Sequence, residues 1–400
     1  LHIADDPYYQ FVERHTTVDG EDYVWFSRPG MGEQQDRLTS ALLLAESIDV
    51  ALDARVLCMH CDSGLAGIVA SRQARLGQVT LLDCSNLASK AARLALAANE
   101  VANAEVLTSD CGNALLGQRP GDHLPPCDCA LALLPKGRAV WEQTVLDAAA
   151  LLRTGGALHM AGANRAGIKS AAKYMQRVFG QVNVLTYRGG CRVVRAVKTD
   201  TIKLPASDYH TWRTLSAQVQ RETIEYVTKP GLFAWSQLDG GTRLLIETLH
   251  EHPLGENAAV LDVGCGAGIL TLVAARQTRE GSVTGVDVDC RAVEAARRTL
   301  AHNNVSNAQI LASDCIEAVA DRTFDAVITN PPFHQKQATT CVIAAQIIQD
   351  AARILDRHGR LYVVGNRFLR YGPLIERAFG QVSLLRQTDS FGVWTAEKRH

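Results

Sequence analysis

Compact apolar runs alternate with amphipathic stretches along the second half of the chain. Residues 259–263, 282–286, 309–312, 324–329 and 360–364 are apolar runs of strand length. Between them, residues 268–277, 291–303 and roughly 339–355 place their apolar positions at helical spacing. Such βαβ alternation predicts a mostly parallel sheet covered on both faces, with ligands held at the carboxyl ends of its strands. Residues 209–249 read as largely helical and lead into this array.

The first half repeats the pattern. Val56-Leu57 matches Val260-Leu261, Asp83 matches Asp287, Asn99 matches Asn303 and Asp110 matches Asp314, all offset by 204. Phe179-Gly180-Gln181-Val182 returns as Phe379-Gly380-Gln381-Val382, offset by 200. Arg28-Pro29-Gly30 and Lys229-Pro230-Gly231 stand as matching leaders. A period this long is duplication of a whole domain and not a solenoid. The expected fold is therefore α/β, two tandem Rossmann-like domains over residues 1–199 and 200–400, joined by a polar, proline-containing linker at 199–208. A chain of 400 residues is long enough for two such cores.

Net charge is −1, which excludes a generic polyanion binder, but the charge is unevenly spread. Residues 1–50 hold ten acidic and three basic residues, whereas 153–199 hold nine basic and no acidic ones. Arg165, Lys169, Lys173 and Arg177 in that stretch are candidate contacts to RNA phosphates. Eleven cysteines, an odd number in a chain with large cores, fit a reducing, cytoplasmic setting. Cys58-x-x-Cys61 and Cys127-x-Cys129 invite a zinc reading, but no His/Cys quartet frames them and no metal site is expected. No apolar run is long enough to span a bilayer, and the acidic start predicts no signal peptide.

Two segments carry chemistry. Asp262-Val263-Gly264-x-Gly266-x-Gly268 runs from strand into helix. Glycine at 264 and 266 lets the backbone turn tightly and approach a ligand, and the helix start offers N–H groups to an anion. Asp287, nineteen residues after Gly268, ends the second strand, where a carboxylate can accept both hydroxyls of a ribose. Asp314 ends the third strand, in place to receive an adenine amine. The series suits S-adenosylmethionine. NAD would call for Gly-x-Gly-x-x-Gly.

The second segment, Asn330-Pro331-Pro332-Phe333, lies 62 residues after Gly268 and follows a predicted strand. An exocyclic amine on a nucleobase is a poor nucleophile because its lone pair is delocalised into the ring. Asn330 Oδ1 and the Pro331 carbonyl are natural acceptors for its N–H groups. The two prolines stiffen the loop, so the acceptors are preorganised. Phe333 is suited to stack on the base.

These residues resemble the class I S-adenosylmethionine-dependent methyltransferases. With the duplication, the chain is similar to the tandem-domain ribosomal RNA guanine-N2 methyltransferases, over both halves and most specifically over 229–333. Pro230-Gly231-Leu232-Phe233 and Asp239-Gly240-Gly241-Thr242 resemble the lead-in segment of that family, which helps close the cofactor pocket. The resemblance implies a catalytic C-terminal domain and an N-terminal domain that has lost catalysis and assists RNA binding and folding. It implies ribosomal RNA or a ribosomal subunit as partner, and the internal duplication suits a monomer. The first half fits that division. His60 and Asp62 stand where the second half has Gly264 and Gly266, and Leu134-Pro135-Lys136-Gly137 replaces the acceptor loop. There Asp62 is expected to repel a cofactor carboxylate. Two other readings stay open on the residues alone. One is a methyltransferase acting on protein glutamine N5 or adenine N6. The other is a non-catalytic ribosome-assembly or RNA-binding factor.

Overall fold

The computed structural model describes residues 3–31, 35–110, 125–202, 204–332, 338–369 and 371–399. Phe333 lies outside the described residues. The chain forms two compact units, one of Gln10–His210 and one of Leu1–Tyr9 with Thr211–His400.

The first unit opens with a hairpin, β1 (Val12–Val18) and β2 (Glu21–Ser27), then α1 (Gln35–Ala45). The array follows as β3 (Arg55–Met59), α2 (Leu65–Gln73), β4 (Gln78–Asp83), α3 (Asn86–Ala98) and β5 (Ala104–Thr108). It closes with β6 (Cys127–Leu133), α4 (Arg138–Leu151), β7 (Leu152–Ala163), α5 (Ile168–Phe179), β8 (Asn183–Arg188) and β9 (Cys191–Val197). The second unit repeats this order. Its hairpin is β10 (Arg213–Val219) and β11 (Glu222–Thr228), followed by α6 (Gly240–Glu251), β12 (Ala259–Val263), α7 (Ile269–Gln277), β13 (Ser282–Asp287), α8 (Cys290–His302) and β14 (Ala308–Ala312). Then come β15 (Phe324–Thr329), α9 (Ala338–Ile354), β16 (Leu355–Asn366), α10 (Tyr371–Phe379), β17 (Ser383–Gln387) and β18 (Phe391–Glu397).

Each unit carries one seven-stranded sheet, ordered β5-β4-β3-β6-β7-β9-β8 in the first and β14-β13-β12-β15-β16-β18-β17 in the second. One strand in each sheet, β9 in the first and β18 in the second, runs antiparallel to both of its neighbours, and the other six run parallel to one another. Successive residues serve opposite faces. Val260 and Ile328 join one core cluster, while Leu261, Val327 and Val363 join the other. Both faces are apolar because both are covered, which is why these strands read as continuous apolar runs.

Residues 209–249 correct the sequence reading. They contain the β10–β11 hairpin, and helix begins only at Gly240. The segment alternates polar and apolar residues, as in Glu222-Thr223-Ile224-Glu225-Tyr226, and alternation suits a half-buried strand. Its turn is made at Gln220, with φ of 52°. The hairpin packs on α8, where Thr299 Oγ1 accepts from Val227 N at 2.9 Å and Asn303 Nδ2 donates to Glu225 O at 2.8 Å. Asn99 makes the matching bond to Val24 O, at 2.6 Å, in the first unit. The repeated asparagine is thus a hairpin anchor.

Candidate active site

The sheet order places β12 between β13 and β15, so the chain leaves this centre first to one side and then to the other. In open α/β sheets such a switch point, at the carboxyl ends of the strands, is where ligands bind. Register aligns the loops there: Val263 pairs with Val286 on one side and with Thr329 on the other. Thr329 Oγ1 also donates to Val263 O at 2.7 Å. The glycine loop and Asn330 therefore begin side by side.

The three loop glycines do two different jobs. All have positive φ, at 76°, 55° and 77° for Gly264, Gly266 and Gly268. A Cβ on Gly264 or Gly266 would meet nothing within 4 Å, so these two face open space. A Cβ on Gly268 would sit 2.8 Å from Ala296 Cα, so this glycine lets α7 and α8 approach. The first unit keeps the packing glycine, Gly64, whose added Cβ would meet Ala92 Cα at 3.1 Å. It replaces the two open ones by His60 and Asp62, which hold the same left-handed backbone at 51° and 53°.

Asp287 secures the loop from the second strand. Its carboxylate accepts from Gly266 N at 3.0 Å and from Asp289 N at 2.9 Å. Burial pushes the Asp287 carboxyl up to about 6, although both backbone N–H groups pull it down. Asp262 is fully buried behind the loop, accepts from Thr271 Oγ1 at 2.6 Å and is pushed up to about 7 by burial. Its bond thus ties the strand end to α7. Asp314 lies buried after β14 and accepts from the Tyr8 hydroxyl at 3.2 Å.

Asn330 is held by two residues of the lead-in segment, Asp239 and Thr242. Its Nδ2 donates to Asp239 Oδ2 at 3.2 Å and to Thr242 Oγ1 at 2.9 Å. A carboxylate only accepts, so Asp239 fixes which end of the amide is nitrogen. Asn330 Oδ1 then points the other way, is buried and has no hydrogen-bond partner among the described residues. Asp239 also caps α6, accepting from Thr242 N at 3.0 Å. The lead-in segment thus supports Asn330. Pro331 is buried and Pro332 exposed beyond it. Phe233 of the lead-in segment exposes 59% of its surface, and Phe368, which sequence reading passed over, exposes 77%.

In the first unit the corresponding loop is filled by its own side chains. His60 Nε2 lies 2.9 Å from Thr144 Oγ1, and Asp62 pairs with Arg37. Its charge is thus balanced within the protein, where the sequence suggested repulsion alone. Asp83 retains the bonding of Asp287, accepting from Asp62 N at 3.0 Å and Ser85 N at 2.9 Å.

The basic stretch divides as well. Arg153 pairs with Asp128, Arg165 with Asp36, and Arg188 with Glu46, acidic partners distant in sequence. Lys169, Lys173 and Arg177 instead form an exposed stripe along α5, at successive turns. Lys173 and Arg177 line an open groove of about 410 Å³ with Arg138, Trp141 and Tyr174. These residues belong to the first unit, and the glycine and Asn330 loops to the second. Among the described residues, no three His, Cys, Asp or Glu side chains gather as a metal site, and no helix is long and apolar enough to cross a membrane. Cys58, Cys127 and Cys129 are buried in strands, which pushes each thiol up to about 12.

The model of the methyltransferase small domain matches residues 32–195 and again 223–395. Ribosomal RNA small subunit methyltransferase C of Stutzerimonas stutzeri is 37% identical over 269 residues, 67% of this chain and 79% of that protein. Its namesake from Yersinia pseudotuberculosis is 35% identical over 273 residues, 68% and 75% of the two chains. Among solved structures, the T. thermophilus 16S rRNA N2 G1207 methyltransferase (RsmC), in complex with AdoMet and guanosine, aligns with a TM-score of 0.81 and 28% identity. That alignment covers 98% of this chain and 99% of the other.

Proposed function

The chain belongs to the methyltransferase small-domain family, as a tandem, S-adenosylmethionine-dependent member, and on that premise we propose that it methylates the exocyclic N2 of a guanine in ribosomal RNA. The cofactor supplies an electrophilic methyl group on a sulfonium. The residues present fit it: two glycines open to space, a carboxylate bonded to the loop beside them and a helix start behind.

One observation carries the choice of acceptor. Asn330 Oδ1 is a buried oxygen with no partner among the described residues, and such a group costs free energy unless something donates to it. The N–H of a planar amine does so. Bonding at Asn330 holds the amine plane and turns its lone pair toward the methyl group. Because Asp239 and Thr242 already fix the amide, little reorganisation is needed at reaction. The amine nitrogen gains the carbon bond as the sulfonium bond breaks, and its proton leaves to solvent afterwards. Positioning supplies most of the rate. In this reading Asp287 accepts the ribose hydroxyls and Asp314 the adenine amine, and Phe333, two residues beyond Pro331, supplies the aromatic face on which a base taken out of its helix stacks.

Guanine rather than adenine or an amide side chain is favoured by the solved relative, whose complex holds AdoMet and guanosine. The first unit serves as scaffold and RNA-binding partner: His60 and the Arg37–Asp62 pair take up the space that two glycines leave open in the second. We place this activity in the cytoplasm and in a monomer. Asn330→Ala tests the assignment. Methyl transfer to ribosomal RNA should fall at least about 100-fold, the scale of losing one preorganised polar group, while cofactor affinity holds. Loss of both together would mean that Asn330 is structural.

A further inference from the structure

Residues 3–9 belong to the second compact unit, although the first unit, Gln10–His210, follows them directly in the chain. They form a buried polar strap there. Asp6 accepts from Tyr8 N at 3.0 Å, from Gln346 Nε2 at 2.9 Å and from Arg353. The Tyr9 hydroxyl bonds Asp350 at 2.5 Å and accepts from Ile316 N at 3.4 Å. The Tyr8 hydroxyl donates to Asp314 Oδ1 at 3.2 Å and lies 3.5 Å from Cys315 Sγ. The strap therefore grips both sides of the loop that carries Asp314.

The duplication shows the same device a second time. Tyr209 N bonds Ser207 Oγ at 3.2 Å, the Tyr209 hydroxyl bonds Asp110 at 3.5 Å, and His210 lies 3.5 Å from Asp147. Ser207 also donates to Gln143 at 2.5 Å. Tyr8 and Tyr209 are offset by 201, and their partners Asp314 and Asp110 by 204. Each strap thus precedes one hairpin and docks on the unit that does not contain that hairpin. An arrangement built twice is a fixture of the domain and not an accident of one end of the chain.

We propose that Tyr8 is a positioning residue of the cofactor site, holding Asp314 in the orientation that recognises the adenine amine and so setting the selectivity for adenine. The proposal rests on the assignment of Asp314 as the partner of that amine. A carboxylate tied at one oxygen by a rigid, buried phenol loses its rotational freedom. Adenine then meets an acceptor already in place, and a purine bearing a carbonyl at that position meets a fixed negative charge. Selectivity comes from that fixed repulsion as much as from the bond. The phenol is itself buried, 4% exposed, and acts through the carboxylate it holds.

The test uses the full chain and two ligands, S-adenosylhomocysteine and S-inosylhomocysteine, which carries a carbonyl where adenine has its amine. Titration calorimetry gives the ratio of their affinities. Wild type should prefer the adenine ligand. Tyr8→Phe keeps the ring packed on Tyr9, at 5.0 Å between centroids, and should cut the preference by about tenfold, the loss expected for one hydrogen bond to a charged group. Asp314→Asn should cut it as well. Tyr209→Phe removes the matching hydroxyl in the first unit and should leave it unchanged. Preference lost in Asp314→Asn but intact in Tyr8→Phe would overturn the role of Tyr8 alone. Equal weakening of both ligands by Tyr8→Phe would do the same. A wild type that binds both ligands alike would remove the adenine assignment of Asp314, and with it the proposal.

Discussion

Asn330 Nδ2 donates to Asp239 Oδ2 across 91 residues of sequence, at 3.2 Å. The bond joins the Asn330 loop to the residue that caps the helix following the hairpin. Because Asp239 cannot donate, it determines that Asn330 presents oxygen, and not nitrogen, on its other side. Asp239→Ala should therefore lower methyl transfer through the Asn330 orientation. The lost helix cap should cost about 1 kcal/mol of stability as well. Single-turnover transfer at saturating cofactor separates the two effects. Full transfer activity in a folded Asp239→Ala protein would show that Asn330 is oriented by something else.

The loop glycines should separate by phenotype. Gly268→Ala forces a Cβ to 2.8 Å from the Ala296 backbone, so it should destabilise the fold by about 2 kcal/mol or more. In a domain of this size the melting temperature should fall by roughly 4–8 °C. Gly264→Ala carries about 1–2 kcal/mol of left-handed strain. Its methyl, however, points into open space, so its main effect should be on cofactor affinity. Thermal melts beside calorimetric titrations distinguish the two. Equal loss of cofactor affinity at constant stability in both variants would contradict the division.

Cofactor affinity should depend on pH through Asp287. Burial raises this carboxyl to about 6, and in the role proposed for Asp287 the ionised form accepts two ribose hydroxyls. The ionised fraction falls as pH drops through that value. Affinity should be flat above about pH 7 and fall below 6, approaching tenfold per pH unit for one required deprotonation. Asp287→Asn should flatten the profile and weaken binding throughout. A wild-type affinity that rises toward acid pH would reverse the assigned role.

The stripe of α5 should contribute to RNA affinity where the paired arginine does not. Reversing Lys169 and Arg177 to Glu should weaken binding of ribosomal RNA. It should also lower the slope of log affinity against log salt by roughly one for each lost phosphate contact. Arg165, engaged with Asp36, should matter less. Filter binding at several salt concentrations measures this. Unchanged affinity in the double reversal would remove α5 from the RNA surface.

What could be read from the chain were features that local physics fixes. The apolar runs declared the sheet, because parallel strands buried on both faces need apolar residues at every position. Gly264, Gly266, Asp287 and Asn330 stood out because tight turns and strand ends constrain residue type. The hairpin at 213–228 was missed because its two faces differ in exposure, and a short alternating run followed by a glycine-rich segment was merged with the helix beyond it. The Asp239–Asn330 and Tyr8–Asp314 bonds were out of reach, since each joins loops from opposite ends of an element array. The Arg37–Asp62 pair was hidden for the same reason, and so Asp62 read as an isolated charge.

The central claim is tested most directly with S-adenosylmethionine labelled on its methyl group. Small subunits, large subunits, protein-free ribosomal RNA and total protein would each be offered as acceptor, then digested and the labelled product identified by mass spectrometry. Label should appear in N2-methylguanosine from ribosomal RNA, and the Asn330→Ala protein should leave none. Label in N6-methyladenosine or methylglutamine instead would contradict the assignment of guanine N2.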